Sequence, residues 1–289
     1  MGFAMGCAIW AYQPWVGEFY PAGSRAKDFL ALYGDRFTAV EGNTTFYSVP
    51  SAATIKRWAH DTSPSFKFCL KLPKTVTHDG ALVPKLPTAL TFLQRVQPLE
   101  SRLGPILIQL PPSYAPHYFE DLAAFLTQFP RTDYPVAVEV RHIDWFTPMM
   151  ADKLNHCLTS LGVGRVLLDS RPIYQCQDDP QLQSERRKPQ VPLQPVITAP
   201  FSLIRYISHP DLPQNQPYLA EWVEQIAQWY RQAQRVQALD LYFFVHCPVE
   251  ERSPHIARHF QSLLETAGLE IPPLPWNQLD SPPAQLSLF

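Results

Sequence analysis

Charged and amide side chains stand at the ends of short apolar runs along this sequence, although only 17% of its 289 residues are charged. Glu41 and Asn43 close the run FTAVEGN, Lys71 closes FKFCLK, Gln109 lies near the end of PILIQL, and Glu139, Arg141 and His142 close VAVEVRH. Asp169 and Arg171 follow in RVLLDSR, Arg205 lies within FSLIRYI, and His246 ends LYFFVH. Charges among apolar residues are costly unless paired. One reading is therefore a set of internal salt bridges, such as Glu139 with Arg205 or Arg141 with Asp169. The other is convergence on one polar face. On that face Lys71, Arg141, Arg171 and Arg205 make a cationic floor suited to phosphate or carboxylate, with Asn43 and Gln109 beside them. Glu41, Glu139, Asp169 and His142 are then the candidate acids and bases. The same carboxylates and histidines make a divalent metal a candidate cofactor, yet no H-x-H or H-E-x-x-H spacing marks a site. No G-x-S-x-G elbow is present either.

Aromatic residues cluster nearby. Tyr12, Trp15, Phe19 and Tyr20 follow the first apolar run, and Phe46, Tyr47 and Trp145 follow later ones. Tyr12 and Trp15 are candidates for stacking a base or sugar ring, against the alternative that they pack loops onto the body of the protein. A basic run, Arg186, Arg187 and Lys188, could close over a phosphate backbone or simply face water.

The elements that must position these residues are legible. Eight apolar runs begin near Met5, Phe37, Phe66, Pro105, Val136, Arg165, Phe201 and Leu241, mostly 30 to 40 residues apart. That spacing is too long for hairpins and suits a strand plus a crossover helix. Between the runs, helices have marked ends: Ser24 before Phe29 with Gly34 after Tyr33, Thr147-Pro148 with Gly162, and Ser253-Pro254 with Gly268. Trp222, Ile226 and Tyr230 mark one face of another helix. Near-continuous apolar strands imply a parallel sheet covered on its outside, and eight such units predict a single-domain α/β fold, a (β/α)8 TIM-type barrel spanning residues 1–268. In such barrels the chemistry sits at the C-terminal ends of strands, where the polar residues above fall. No G-x-G-x-x-G or Walker loop follows a strand, which disfavours the doubly wound alternative. Residues 175–200 lack apolar periodicity where a sixth helix is due, and 269–289 reads as a Pro-rich extended tail.

Composition excludes several classes. A net charge of −2 carries no global basic field for nucleic acid, and 46% hydrophobic residues support a large core despite 31 Pro. Five scattered Cys lack the spacing of a disulfide framework or zinc site. The first residues lack a signal-peptide pattern and no run reaches membrane-spanning length, so a cytoplasmic, non-membrane protein is expected.

The motifs AIWAYQPWVGEFYP, VEGNTTFYSVPS, FCLKLP with THDG, GPILIQLPPSY, AVEVRHIDWF and VLLDSRP, in this order, resemble the YecE-like family, domain of unknown function seventy-two. The resemblance covers about residues 4–268 and implies the barrel fold with polar positions Glu41, Asn43, Lys71, Gln109, Glu139, Arg141, Asp169 and Arg205. It implies no activity. The chain departs from the family pattern in GCAIW, in IRYISHP and in FFVHCPVEERSP.

The last residues, Gln285, Leu286, Ser287, Leu288 and Phe289, are similar to the pentapeptide that docks on the bacterial DNA sliding clamp. A Gln amide with three apolar anchors on a Pro-stiffened tether suits a shallow docking pocket. The expected function is hydrolysis of a phosphate-bearing substrate, damaged DNA or a nucleotide, with recruitment by the clamp. The alternatives are a clamp-tethered binding module without catalysis, and an acid/base enzyme for a small sugar or carboxylate.

Overall fold

The computed structural model describes residues 2–182, 184, 187–233 and 238–279. Every expected strand forms: β1 (Gly2–Cys7), β2 (Ala39–Gly42), β3 (Lys67–Leu70), β4 (Ile106–Gln109), β5 (Val136–Glu139), β6 (Gly164–Asp169), β7 (Phe201–Ile207) and β8 (Asp240–His246). All pairings between these strands are parallel. β2, β4, β5, β6 and β7 are buried along their whole length, as expected of a parallel sheet covered by helices. The ladder is divided into a six-stranded sheet ordered β1-β8-β7-β6-β5-β4 and a β2-β3 pair.

The protein is thus a single α/β domain built on a curled parallel sheet; the continuous eight-stranded ladder of the expected barrel is not what the hydrogen bonding forms. Single bridges, Phe68 with Leu103 and Lys71 with Leu107, join the β3 side to the β4 side. On the other flank the Thr38 N–H donates to the Met5 carbonyl, and the Tyr33 hydroxyl links Cys7 N–H to the Ala39 carbonyl. Gly6 permits that approach, because a Cβ there would run into the Ala39 carbonyl.

The packing has two parts. Trp15, Phe19, Tyr20, Phe29, Tyr33 and Phe37 belong to a large core between the sheet and its helices. A second cluster includes Ala39, Cys69, Leu107, Ala137, Val166, Leu203 and Phe244, so that each of β2 to β8 contributes, β7 with Phe201 as well. Ala4 of β1 packs against it. Side chains alternate along a strand, so the residues two positions on share this inner face. They are Glu41, Lys71, Gln109, Glu139, Leu168, Arg205 and His246. An apolar floor therefore carries a polar layer above it.

Helix ends follow the sequence signals in part. Pro148–Leu161 ends on Gly162 in the left-handed region at φ 65°. Ser253 is the first residue of its helix and caps nothing, and Ser24 bonds the Pro21 carbonyl while the helical path starts later, at Ala26. The helix expected around Trp222 extends over Leu212–Ala233 and includes Pro217. In place of a sixth helix there is a single turn, Arg171–Tyr174, and a long loop. Arg165 anchors that loop by bonding Asn155 and Gln194 at 2.7 and 2.8 Å. The segment after Gly268 does not project away as far as Leu279. Ile271, Leu274 and Trp276 are buried, with Trp276 edge-on to Phe19 and Phe37 and under the Arg258 guanidinium. No helix among the described residues is long and apolar enough to cross a membrane.

Candidate functional site

Glu41, on β2, is fully buried and accepts four hydrogen bonds. Lys71 Nζ and Arg205 Nη2 reach Oε1 at 2.8 and 3.1 Å, while Arg205 Nε and His246 Nε2 reach Oε2 at 2.8 and 2.9 Å. Arg205 also donates Nη1 to Glu139 Oε2 at 2.5 Å, and Arg141 Nε holds Glu139 Oε1 at 2.5 Å. Lys71 completes the layer by donating to Gln109 Oε1 at 2.8 Å. One guanidinium therefore spans carboxylates of β2 and β5, with a further cation on each carboxylate. The expected pair of Glu139 with Arg205 forms. Arg141 and Asp169, in contrast, each pair elsewhere.

This geometry decides protonation. Burial alone would raise the Glu41 carboxyl, but Arg205, Lys71 and His246 together hold it well below its usual range. Glu139 likewise is pulled down to about 2 by Arg141, Arg205 and Lys71 against burial. Both stay ionised, which suits posts that position cations rather than proton donors. Burial lowers Lys71 to about 7, aided by Arg205 and opposed by Glu41 and Glu139. Burial and neighbouring cations bring His246 to about 3 despite Glu41, so its Nε2–H donates as a neutral ring.

The mouth above this layer is cationic. Beyond its bond to Glu139, the Arg141 guanidinium has no further partner among the described residues, and its side chain is 16% exposed. Lys188, on the long loop, lies within electrostatic reach of Glu250, Glu41, Arg205 and Arg141, and burial lowers its pKa. The loop is pinned there by Tyr174, whose hydroxyl donates to the Lys188 carbonyl, and by Gln181, whose Oε1 accepts the Lys188 N–H at 2.7 Å. Glu250 just beyond β8 is pushed up to about 7 by burial, with Lys188 and the Ser253 hydroxyl opposing. His78 is lowered to about 4 by burial, Arg141 and Lys71.

Not every expected site residue joins this layer. Asp169 and Arg171 form a neighbouring group. Asp169 accepts Arg171 Nε and Nη2 at 2.9 Å each and Trp222 Nε1 at 2.9 Å, and Arg171 Nη1 bonds Glu221 at 2.6 Å. His142 turns to its own helix turn: Nδ1 accepts the Asp144 N–H at 3.2 Å. Asn43 ties β2 to β1 through the Ala8 carbonyl at 2.8 Å. Trp15 is 1% exposed, with Nε1 on the Glu250 carbonyl and its ring among Phe19, Tyr20 and Tyr33, so it has no open face for stacking. Trp145 is equally buried. Tyr12 bonds Glu251 at 2.9 Å beside Trp15. Arg187 pairs with Asp179, whereas Arg186 and residues 285–289 lie outside the described residues.

For a metal, the central carboxylates are a poor fit because cations already occupy Glu41, Glu139 and Asp169. Elsewhere Cys176, Asp178 and His209 bring donor atoms within 4.8 Å of one another. There His209 Nδ1 accepts the Asp211 N–H at 3.0 Å, so the ring proton sits on Nε2, toward Asp178. A metal on Nε2 would need that nitrogen's lone pair, which this tautomer does not offer.

Comparison with known proteins adds to this geometry. The family model "Protein of unknown function DUF72" matches residues 4–279. The chain belongs to the DUF72 family. The match extends over the packed segment after Gly268, in keeping with its burial. The UPF0759 protein YecE of Escherichia coli K12 is 33% identical over 288 residues, covering 99% of each chain. The UPF0759 protein YunF of Bacillus subtilis is 26% identical over 45% of this chain and 49% of its own. Two DUF72 crystal structures share the fold. That from Thermotoga maritima has a TM-score of 0.67 at 22% identity, over 92% of this chain and all of its own. That from Enterococcus faecalis has 0.65 at 18%, over 91% of this chain and 98% of its own.

Proposed function

We propose that this DUF72 protein is a hydrolase whose polar layer closes the mouth of an eight-stranded TIM-type barrel and binds a phosphate-bearing substrate. The barrel reading is supported by the apolar cluster drawn from β2 to β8 and by the bridges on either flank of the β2-β3 pair. The observation that carries the substrate reading is the charge balance at the mouth. Two ionised carboxylates, Glu41 and Glu139, with Glu250 raised to about 7 beside them, face three cations, Arg205, Arg141 and Lys188, and Lys71, lowered to about 7, adds a fourth only where it is protonated. Arg141 has donors left over, in a fork that matches phosphate oxygens.

Lys71 and Glu250 are the mouth groups tuned near 7, so we assign proton transfer to them. Water attacks phosphorus and gives its proton to neutral Lys71. The bond to the leaving oxygen breaks, and Glu250 protonates that oxygen. Nucleotides and damaged DNA are the substrates this reading favours, in a cytoplasmic setting, with the QLSLF tail docking on the sliding clamp.

The test is release of phosphate or of a cleaved strand from nucleotides and from abasic or nicked DNA, with and without divalent metal. Wild type turns over at least one, and Lys71→Met and Arg141→Ala lose turnover; absence of activity on all of them refutes hydrolysis. Deleting residues 285–289 should abolish binding to the clamp, and unchanged binding refutes recruitment. A binding module without turnover is the second reading. It is favoured by the complete pairing of both central carboxylates, and a tight anionic ligand that is never converted would select it.

A further inference from the structure

We propose that the cavity next to this mouth is a nucleobase pocket, which makes the substrate a nucleoside phosphate; the inference rests on the phosphate reading above. The cavity is about 780 Å³ and lies between the end of β6, the helix Leu212–Ala233 and the loop around residues 190–195. That size is within the range of sites for small organic ligands.

Its walls carry polar groups with unused capacity. Ser170 is 3% exposed yet lines the cavity, and its hydroxyl has no partner among the described residues. The amides of Gln190 and Gln225 are also unpartnered among those residues, and Gln175 uses only its oxygen, for the Tyr218 hydroxyl. Glu221 gives one oxygen to Arg171 and keeps the other. Donors and acceptors thus stand together, as the edge of a base requires.

Charge and shape narrow the ligand. Arg171 is neutralised by Asp169 and Glu221, two carboxylates against one guanidinium, so the cavity does not suit a phosphate. Pro192, Leu193, Pro195 and Ile143 supply flat apolar walls for a planar ring. Two aromatic residues line the cavity: Trp222 is 2% exposed with its Nε1 tied to Asp169, whereas Tyr174 is partly exposed and offers a ring against which a planar base can stack. Position completes the case. Ile143 follows Arg141 by two residues at the end of β5, and Ser170 follows Asp169 at the end of β6. A phosphate on Arg141 and a base in the cavity would occupy neighbouring strand ends.

The test uses the full chain and ligand-detected NMR titrations with adenosine, guanosine, cytidine, uridine, methyl ribofuranoside and inorganic phosphate. We expect at least one nucleoside to bind, with affinity reduced tenfold or more by Gln225→Trp, which fills the cavity, and also reduced by Gln190→Ala on the exposed loop. Phosphate binding should be unchanged by both. The proposal is overturned if no nucleoside binds while phosphate does, an outcome that leaves the phosphate reading standing. It is equally overturned if methyl ribofuranoside binds as well as the nucleosides, or if neither variant affects nucleoside binding. Nucleoside binding lost in Gln225→Trp, with no phosphate binding anywhere, would support the pocket and overturn the phosphate reading.

Discussion

Arg205→Met removes the guanidinium that spans Glu41 and Glu139 while keeping a long apolar side chain in its place. Three charge-assisted hydrogen bonds disappear, leaving Glu41 with Lys71 and His246, and Glu139 with Arg141. Removing one partner of a buried ion pair costs roughly 3–5 kcal/mol, because the remaining charge has lost its compensation. The Glu139 carboxyl supports that scale: a net drop from 4.5 to about 2, against burial, is worth about 3 kcal/mol at about 1.4 kcal/mol per pH unit, shared among Arg141, Arg205 and Lys71. For a chain of this length the loss corresponds to roughly 5–8 °C in Tm.

The pH dependence has a definite sign. Both carboxylates have folded pKa values depressed below their unfolded ones, so their stabilisation is present above about 4.5 and is lost as pH falls through the folded values. In the variant these groups protonate earlier. The deficit should therefore be largest at pH 7.5 and shrink as pH falls below about 4.5. Thermal unfolding of both proteins across this range measures it. A deficit under about 1 kcal/mol at pH 7.5, or one that does not shrink in acid, would refute the central ion-pair account.

Trp222→Phe removes the indole N–H from buried Asp169 and should cost about 1–3 kcal/mol by denaturant unfolding; a loss within error would mean that this bond contributes nothing. Glu250→Gln should stabilise the protein at pH 8, by at most roughly 3 kcal/mol, because burial raises this carboxyl to about 7 and its ionisation opposes folding as pH rises from about 4.5 to 7. The gain should vanish near pH 4.5, and a gain independent of pH would contradict the assignment. Gly6→Ala places a Cβ against the Ala39 carbonyl where β1 meets β2, and a cost of about 1–3 kcal/mol or more is expected, whereas a neutral result would mean that the strands do not approach as described.

The strands and most of the polar positions on them were legible because each apolar run is a strand and the polar residue near its end lies on the inner face, Asp169 of β6 being the exception. Period-two alternation carries that information, so Glu41, Lys71, Gln109, Glu139 and Arg205 could be chosen without coordinates. How they pair could not, since register and curl decide which side chains meet: Arg141 meets Glu139 and Asp169 meets Arg171. Trp15 and Trp145 illustrate a second limit, because an aromatic residue in a loop reads alike whether it faces a ligand or the core. Glu250 does not stand out in the sequence because it lies in the short turn Glu250–Arg252 beyond β8, where EER reads as solvated charge. Its position four residues after His246 was the available signal. Lys188 reads in the sequence as part of a basic run, and nothing local separates it from Arg187, which faces Asp179. The packed segment 269–279 was hidden by its prolines, which mark extended chain without saying whether that chain lies on the protein.

Phosphate binding at the mouth through Arg141 is measured by titrating inorganic phosphate into the full chain, followed by phosphorus-31 NMR or calorimetry. Saturable binding to wild type is expected, weakened tenfold or more in Arg141→Ala, which corresponds to about 1.4 kcal/mol. Absence of saturable binding, or equal affinity in the variant, would contradict phosphate binding through Arg141.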